Sequence, residues 1–187
     1  WQNFVDEGLT GDPNNGGAIS SEIFQAKLYW GTANTNGVGA DLWQTDGKTM
    51  EAIVTDGFGS EENSVISSLS TFGSFLYAGV GNINGNIQVW RSANGQDWKQ
   101  VYFTDETLLG VVNSLEVYRE HLYLVMENYL SGVEVWRTRN GIQWEQVGFD
   151  GFGDPNNQTI FFDNGTTIYR DGLYIPTMSW MGGEVWK

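Results

Sequence analysis

The chain has 187 residues, of which 40% are hydrophobic and 14% aromatic, with nine Trp and 25 Gly; this composition favours strands joined by glycine turns. A formal net charge of −14 argues against nucleic acids and anionic membrane surfaces as partners, because binding to them depends on Lys and Arg. There is no cysteine to form a disulfide, and no apolar run approaches the roughly 20 residues of a membrane span.

Four copies of one repeat occupy the whole chain, which we therefore treat as a single domain, 1–187, with copies at about 1–49, 50–97, 98–143 and 144–187. Two residue pairs mark the repeat, one reading Leu-Tyr and the other an aliphatic residue followed by Trp. The Leu-Tyr pairs are Leu28-Tyr29, Leu76-Tyr77, Leu122-Tyr123 and Leu173-Tyr174. The aliphatic-Trp pairs are Leu42-Trp43, Val89-Trp90, Val135-Trp136 and Val185-Trp186.

The repeat predicts four short antiparallel strands, which we call a, b, c and d. The clearest set comprises residues 65–72, 75–80, 87–92 and 98–103. Strands c and d are joined by Asp46-Gly47, Asn94-Gly95 or Asn140-Gly141, dipeptides that tolerate the positive φ of tight hairpin turns. Four such strands at this period indicate an all-β fold, a β-propeller of four blades with four antiparallel strands each.

The two ends of the chain fall in complementary strands. Trp1 lies in a strand d, and Lys187 ends a strand c. We therefore expect the N-terminal strand to complete the last blade and close the ring. The alternative is that the chain is a slice of a longer array, whose ends would need neighbouring repeats to cover them.

The turns between strands c and d resemble a known motif. Segments 92–98 and 138–144 read SANGQDW and TRNGIQW. They are similar to the Asp-box (BNR) repeat, S-x-D-x-G-x-x-W, although one residue shorter between Asn and Gly, and Met50 replaces the first Trp. The resemblance implies a propeller of the kind found in secreted prokaryotic proteins, with this turn as a fold element away from the active face.

The loops between strands d and a are rich in Asp, Asn, Glu and Gly. Carboxylate and amide oxygens on such loops are the ligands that Ca²⁺ prefers, so Ca²⁺ is the candidate cofactor. The alternative is that these residues only build the turns. The candidate metal ligands are Asp12, Asp56, Glu61, Asp150 and Asp154.

The loops between strands b and c are expected on the same face of the propeller. They carry amide side chains beside aromatic rings, a combination that suits sugar hydroxyls and sugar faces. Polar hairpin tips are the alternative interpretation. The candidate ligand-binding residues are Asn34, Asn36, Asn82, Asn84, Asn128, Tyr129 and Trp180. Two N-glycosylation sequons begin at Asn157 and Asn164.

Strand a is expected to line the central channel. It carries small polar residues, which we interpret as fitting the convergence of inner strands. A ring of carboxylates from Glu22, Glu116 and Asp163 is a further candidate feature there. The repeated Trp residues are interpreted as contacts between blades.

The favoured function from sequence is a non-catalytic extracellular or cell-surface binding or adhesion module, lectin-like, which contacts a glycan or a protein surface. Self-association is a candidate property. One alternative is a structural subunit of a surface assembly or filament. Another is a glycoside hydrolase or lyase working through two carboxylates, although no pair stands out in the sequence. With His121 as its single histidine and no cysteine, the chain lacks the residues for Ser–His or Cys–His catalysis and for zinc sites.

Overall fold

The computed structural model describes residues 3–5, 9, 13–34, 36–82, 84–104, 110–158 and 165–187. The predicted site residues Asp12 and Asn164 lie outside the described residues, as do Asp163 and Trp1. The strands are β1 (Asn15–Phe24), β2 (Lys27–Asn34), β3 (Leu42–Thr45), β4 (Met50–Val54), β5 (Val65–Phe72), β6 (Phe75–Gly81), β7 (Ile87–Ser92), β8 (Trp98–Phe103), β9 (Val112–Tyr118), β10 (His121–Met126), β11 (Glu134–Thr138), β12 (Glu145–Gly148), β13 (Thr167–Tyr169), β14 (Gly172–Thr177) and β15 (Glu184–Trp186).

The strands form four antiparallel units, in which neighbours along the chain pair with each other. Unit one is β1–β4, unit two β5–β8, unit three β9–β12 and unit four β13–β15. Units one and two share one sheet through the pairing of Ala33 with Val65. The all-β prediction is confirmed, and a short 3₁₀ turn at Asp150–Gly153 lies in the loop before unit four. Among the described residues unit four has three strands, and residues 3–5 are not part of a strand, so completion of the last blade by the N-terminal segment stays a prediction.

The core lies between successive units, where the buried faces of their sheets meet. Leu42, Ile66 and Leu76 belong to one cluster, shared by units one and two. Leu122 and Leu124 belong to a second cluster, shared by units two and three. Both arise because alternate residues of a strand point to the same face.

The Leu-Tyr and Asn-Gly motifs recur because they contact each other across units. Tyr29 and Tyr77 are each 1% exposed. Their hydroxyls lie directly under the turns at Gly95 and Gly141, where a Cβ would collide with them. Both glycines also have a positive φ, of 75° and 72°. The c–d turn of one unit is therefore seated on the tyrosine of the unit before it.

The Asp-box-like turns are held by side-chain oxygens. Asn94 Oδ1 accepts hydrogen bonds from the backbone amides of Gln96 and Asp97, both at 2.9 Å. Asn140 Oδ1 accepts the equivalent pair at 3.0 and 2.9 Å. These bonds satisfy the turn's own amides, in the manner of an Asx turn. The motif therefore shapes the hairpin.

The repeated tryptophans are inter-unit contacts, as the sequence predicts. Phe58, from the loop between units one and two, stacks on Trp90 at 4.9 Å and meets the edge of Trp98 at 5.5 Å. Phe152 stacks in the same way on Trp186, at 4.7 Å. Each stacked ring joins a d–a loop to strand c of the following unit.

Candidate functional site

The inner strands of units one to three are tied together by serine hydroxyls. Ser20 Oγ donates to the carbonyl of Ile66 at 2.6 Å, which links β1 to β5. Ser67 Oγ donates to the carbonyl of Val112 at 2.6 Å, which links β5 to β9. The small polar residues of strand a therefore fasten neighbouring units to one another, in agreement with their interpretation as structural.

Two carboxylates interact electrostatically from the inner strands of units one and three. Glu22 of β1 is paired with Tyr29, and Glu116 of β9 is paired with Tyr123, so both occupy one register position of the repeat. Both side chains are partly buried. Burial raises the pKa of Glu116, and the negative charge of Glu22 raises it further. Glu116 therefore keeps its proton to a higher pH than an ordinary glutamate.

The same position carries hydroxyl residues in the other two units. It is Ser70 in β5 and Thr167 in β13, opposite Tyr77 and Tyr174. The position is therefore acidic in units one and three and carries a hydroxyl in units two and four. A partly buried acid that keeps its proton beside a second carboxyl group is an arrangement that acid–base chemistry uses. The sequence analysis gave both residues as channel candidates, but their electrostatic interaction joins two strands that are far apart in the chain.

Glu127 is a buried acid that the sequence analysis missed. It follows β10, is 1% exposed, and has no hydrogen-bond donor at standard geometry on either carboxylate oxygen. Burial raises its pKa to about 7, against a weaker opposite effect of the Tyr129 hydroxyl. The equivalent residues, counted from the Leu-Tyr pair, are Ala33, Gly81 and Met178. This single acid in an otherwise uncharged column is the signal that could have found it.

The predicted glycan-binding asparagines shape their own loops. Asn34, Asn82 and Asn128 are buried, at 4%, 8% and 4% exposure. Their Oδ1 atoms accept bonds from the amides of residues 36, 84 and 130, at 2.9, 2.8 and 3.0 Å. The amide oxygens are therefore engaged in turns.

The remaining members of the predicted glycan-binding set differ widely in exposure. Trp180 is fully exposed, and Tyr129 is partly buried beside Glu127. Asn36 donates its Nδ2 to Asn14 at 3.0 Å. The backbone amide of Asn84 donates a hydrogen bond to Asn82 Oδ1. Glycan binding by this set stays a prediction.

The acidic d–a loops also bond internally. Asp56 Oδ1 accepts the amide of Gly59 at 3.1 Å, and Asp154 Oδ1 accepts two donors from Asn156, at 2.9 and 2.8 Å. Among the described residues, no three His, Cys, Asp or Glu side chains are grouped as a metal ion would require. Calcium binding by Asp12, Asp56, Glu61, Asp150 and Asp154 stays a prediction.

Of the two predicted glycosylation sites, Asn157 is described. It is 2% exposed, and its Nδ2 donates to the carbonyl of Gly151 at 3.0 Å and to Glu184 at 2.8 Å. This amide holds the loop against strand c of unit four. Attachment of a sugar at Asn157 would require this contact to open.

No family model and no curated protein sequence matches the chain. Its fold is similar to that of an α-L-arabinofuranosidase (CtGH43) from Clostridium thermocellum, with a TM-score of 0.50 and 15% identity over 88% of this chain. It is also similar to Bacteroides ovatus Xyloglucan PUL GH43B, with a TM-score of 0.51 and 13% identity over 86% of the chain. The chain spans 61% and 35% of those two proteins. These similarities place the chain in a β-propeller type of fold.

The comparisons correct the prediction of a non-catalytic binding or adhesion module. Both neighbours just described are GH43 proteins, and the first is named as a glycosidase, so the glycoside hydrolase alternative fits the findings better. The reason for the error is that the sequence showed many acids without showing which of them meet. No helix among the described residues has the length and hydropathy to cross a membrane.

Proposed function

We propose that the chain is a glycoside hydrolase or the larger part of one. The observation that carries the proposal is the pair Glu22 and Glu116, in which burial and the neighbouring charge raise the pKa of one carboxyl. Glycoside hydrolysis commonly needs a carboxylic acid that is still protonated and a second carboxylate that is ionised. In the proposal Glu116 is the protonated acid and Glu22 is the second carboxyl group, and both lie on inner strands of the fold.

The proposed reaction assigns one role to each residue. Glu116 donates its proton to the glycosidic oxygen as the bond from that oxygen to the anomeric carbon breaks. Glu22 acts as the carboxylate, either by taking a proton from the attacking water or by attacking the anomeric carbon itself. A water molecule supplies the hydroxyl of the new hemiacetal in both cases, and the separation of the carboxyls determines which route operates.

The first substrates to examine follow from the names of the structural neighbours. An α-L-arabinofuranosidase and a xyloglucan-associated GH43 protein both point to polysaccharides with pentose side chains. We therefore propose arabinofuranosyl- and xylosyl-decorated glycans as the substrate class. An extracellular or cell-surface location belongs to the same proposal, because large polysaccharides must be cut outside the cell.

The test is hydrolysis of aryl α-L-arabinofuranosides, aryl β-D-xylosides and xyloglucan by the purified chain. Glu116→Gln and Glu22→Gln should each lower the rate at least a hundredfold, while Glu120→Gln, on an 81% exposed side chain, should leave it unchanged. Thermal melts of all variants establish that they fold. Unchanged rates in both Glu116→Gln and Glu22→Gln, or no hydrolysis by the parent chain, would contradict the proposal.

We also propose that the fold closes as a four-bladed ring. In unit four Val185 is 69% exposed on β15. Its equivalents Val89 and Val135 are buried, and each is paired with a residue of strand d. Val5 follows Trp1 by four residues, as Tyr102 follows Trp98 and Gly148 follows Trp144. Because Tyr102 and Gly148 pair with Val89 and Val135, Val5 is the residue that would face Val185 in a completed blade. The chain has no cysteine, so Val5→Cys with Val185→Cys should form an intramolecular disulfide on oxidation. A disulfide-linked dimer instead would assign that strand to a second copy, and a Val5→Cys/Val147→Cys variant is the control.

A further inference from the structure

In three of the four units, an asparagine from the d–a loop, or from the first position of strand a in unit one, bonds to strand c or to the residue just before it. Asn63 Nδ2 reaches Gln88 at 3.3 Å, and Asn157 Nδ2 reaches Glu184 at 2.8 Å. Asn15 Nδ2 reaches Asp41 at 2.8 Å in the same way. Segment 104–110, which leads into unit three, reads TDETLLG and contains neither this Asn nor the Phe that stacks on Trp in units two and four.

In unit three, the carboxylate of Glu134, the first residue of strand c, accepts its hydrogen bonds from residues of its own unit instead. Glu134 Oε1 accepts bonds from Asn128 Nδ2 at 2.8 Å and Ser131 Oγ at 3.2 Å. Glu134 Oε2 accepts bonds from Trp136 Nε1 at 3.1 Å and Gln146 Nε2 at 3.2 Å. Four donors therefore fix the position of this carboxylate at the wall of a cavity.

That cavity lies between units two and three, with a volume of about 630 Å³. Four aromatic rings from both units line it: Tyr102, Phe103, Trp136 and Phe149. Tyr102 meets Trp136 at 5.6 Å in an edge-on contact, rather than stacking as Phe58 does on Trp90. Phe103 and Phe149 are 47% and 57% exposed, so their rings face the solvent at the rim.

The charged side chains among the described residues that line the cavity are acidic. Its lining includes the carboxylates of Glu134 and Asp150, and none of the described lining residues is Lys or Arg. Asp150 is exposed to solvent at the edge of the cavity. The formal net charge of the whole chain, −14, adds to the attraction of a cation.

We propose that the cavity between units two and three binds an organic cation with apolar substituents, such as an alkylated ammonium group. Aromatic faces attract such cations through their quadrupole and cover the alkyl groups at the same time. Glu134 and Asp150 supply the compensating charge. A bare divalent ion suits this lining less well, because it needs several oxygen ligands and gains nothing from four rings. This proposal is independent of the hydrolase proposal.

The experiment is calorimetric titration of the purified chain with choline and with 3,3-dimethylbutan-1-ol, its uncharged analogue of the same shape. Choline should bind at least about tenfold more tightly, and raising the salt concentration should weaken it. Asp150→Asn and Phe149→Ala should each lower choline affinity roughly threefold or more. Asn tolerates the φ of 46° at position 150, so the first variant should fold.

Two controls separate this site from the rest of the molecule. Trp180→Ala, on a fully exposed ring outside the cavity, and Glu116→Gln, in the proposed active site, should both bind choline like the parent chain. Equal binding of the uncharged analogue would overturn the proposal. So would binding of CaCl₂ or xylose in place of choline, or loss of choline binding in Trp180→Ala rather than Asp150→Asn.

Discussion

Replacing Glu127 by glutamine should change the pH dependence of stability in a way that no surface glutamate does. Glu127 is 1% exposed, has no standard hydrogen-bond donor, and has a pKa raised to about 7 by burial. In the unfolded chain the same carboxyl loses its proton near its ordinary pKa of 4.5. Between these two values the folded state binds more protons than the unfolded state, so the free energy of unfolding must fall as pH rises.

The size of this effect follows from the two pKa values. They differ by 2.5, from 4.5 to about 7. At roughly 1.4 kcal/mol for each pKa unit, the ionised carboxylate costs about 3 kcal/mol of stability at pH 8 and almost nothing below pH 4.5. Glutamine is neutral at every pH and of similar size. Glu127→Gln should therefore be more stable than the parent chain at pH 8, and the difference should shrink as pH falls through 7 toward 4.5.

Urea unfolding of the two proteins at pH 5, 6, 7 and 8, followed by tryptophan fluorescence, measures this directly. Glu120→Gln is the matched control, because its side chain is 81% exposed and its free energy of unfolding should follow the parent's at every pH. If the curves of Glu127→Gln and the parent chain run parallel from pH 5 to pH 8, the carboxyl titrates as an exposed one and the reasoning fails.

Thermal melts of further variants test two contacts between units and one exposed ring. Phe58→Ala removes the ring that stacks on Trp90 and meets the edge of Trp98. It should cost about 2 kcal/mol or more, and a loss below about 0.5 kcal/mol would contradict the role given to these contacts. Gly95→Ala should cost clearly more than Gly47→Ala, because both glycines have a positive φ but a Cβ at 95 collides with a buried tyrosine whereas a Cβ at 47 meets nothing within 4 Å. Trp180→Ala, on a ring that is 100% exposed, should change stability by no more than about 0.5 kcal/mol, and a larger loss would mean that the ring is covered in solution.

The sequence predicts the strands well because their signals are local. Alternation and Asn-Gly turns predict residues 65–72, 87–92 and 98–103, which are β5, β7 and β8 in the structure, and 75–80, which β6 extends to Gly81. The recurring aliphatic-Trp pairs predict contacts between units for a related reason. A residue that makes the same contact in each copy has to recur at the same position of the repeat.

The sites could be predicted only in part, because they depend on contacts between strands far apart in the chain. Glu22 and Glu116 are visible as acids on strand a, but their coupling requires β1 and β9 to bring their side chains near one another. Asn82 resembles a ligand-binding amide in the sequence, and only the structure shows its Oδ1 accepting the amide of residue 84. Tyr102 occupies a position held by Val54 and Gly148, and nothing local indicates that its ring reaches Trp136.

Departures from the repeat concentrate in unit three and next to it. Ala33 and Gly81 show that the Glu127 position accepts a small apolar residue, whereas a buried carboxylate without a full set of donors destabilises the fold. The unit also carries Glu116, as unit one carries Glu22, and it adjoins the cavity lined by Tyr102, Phe103, Trp136 and Phe149. Packing alone would be served better at position 127 by the residues of units one and two, and this favours a chemical role for Glu127 over a packing role.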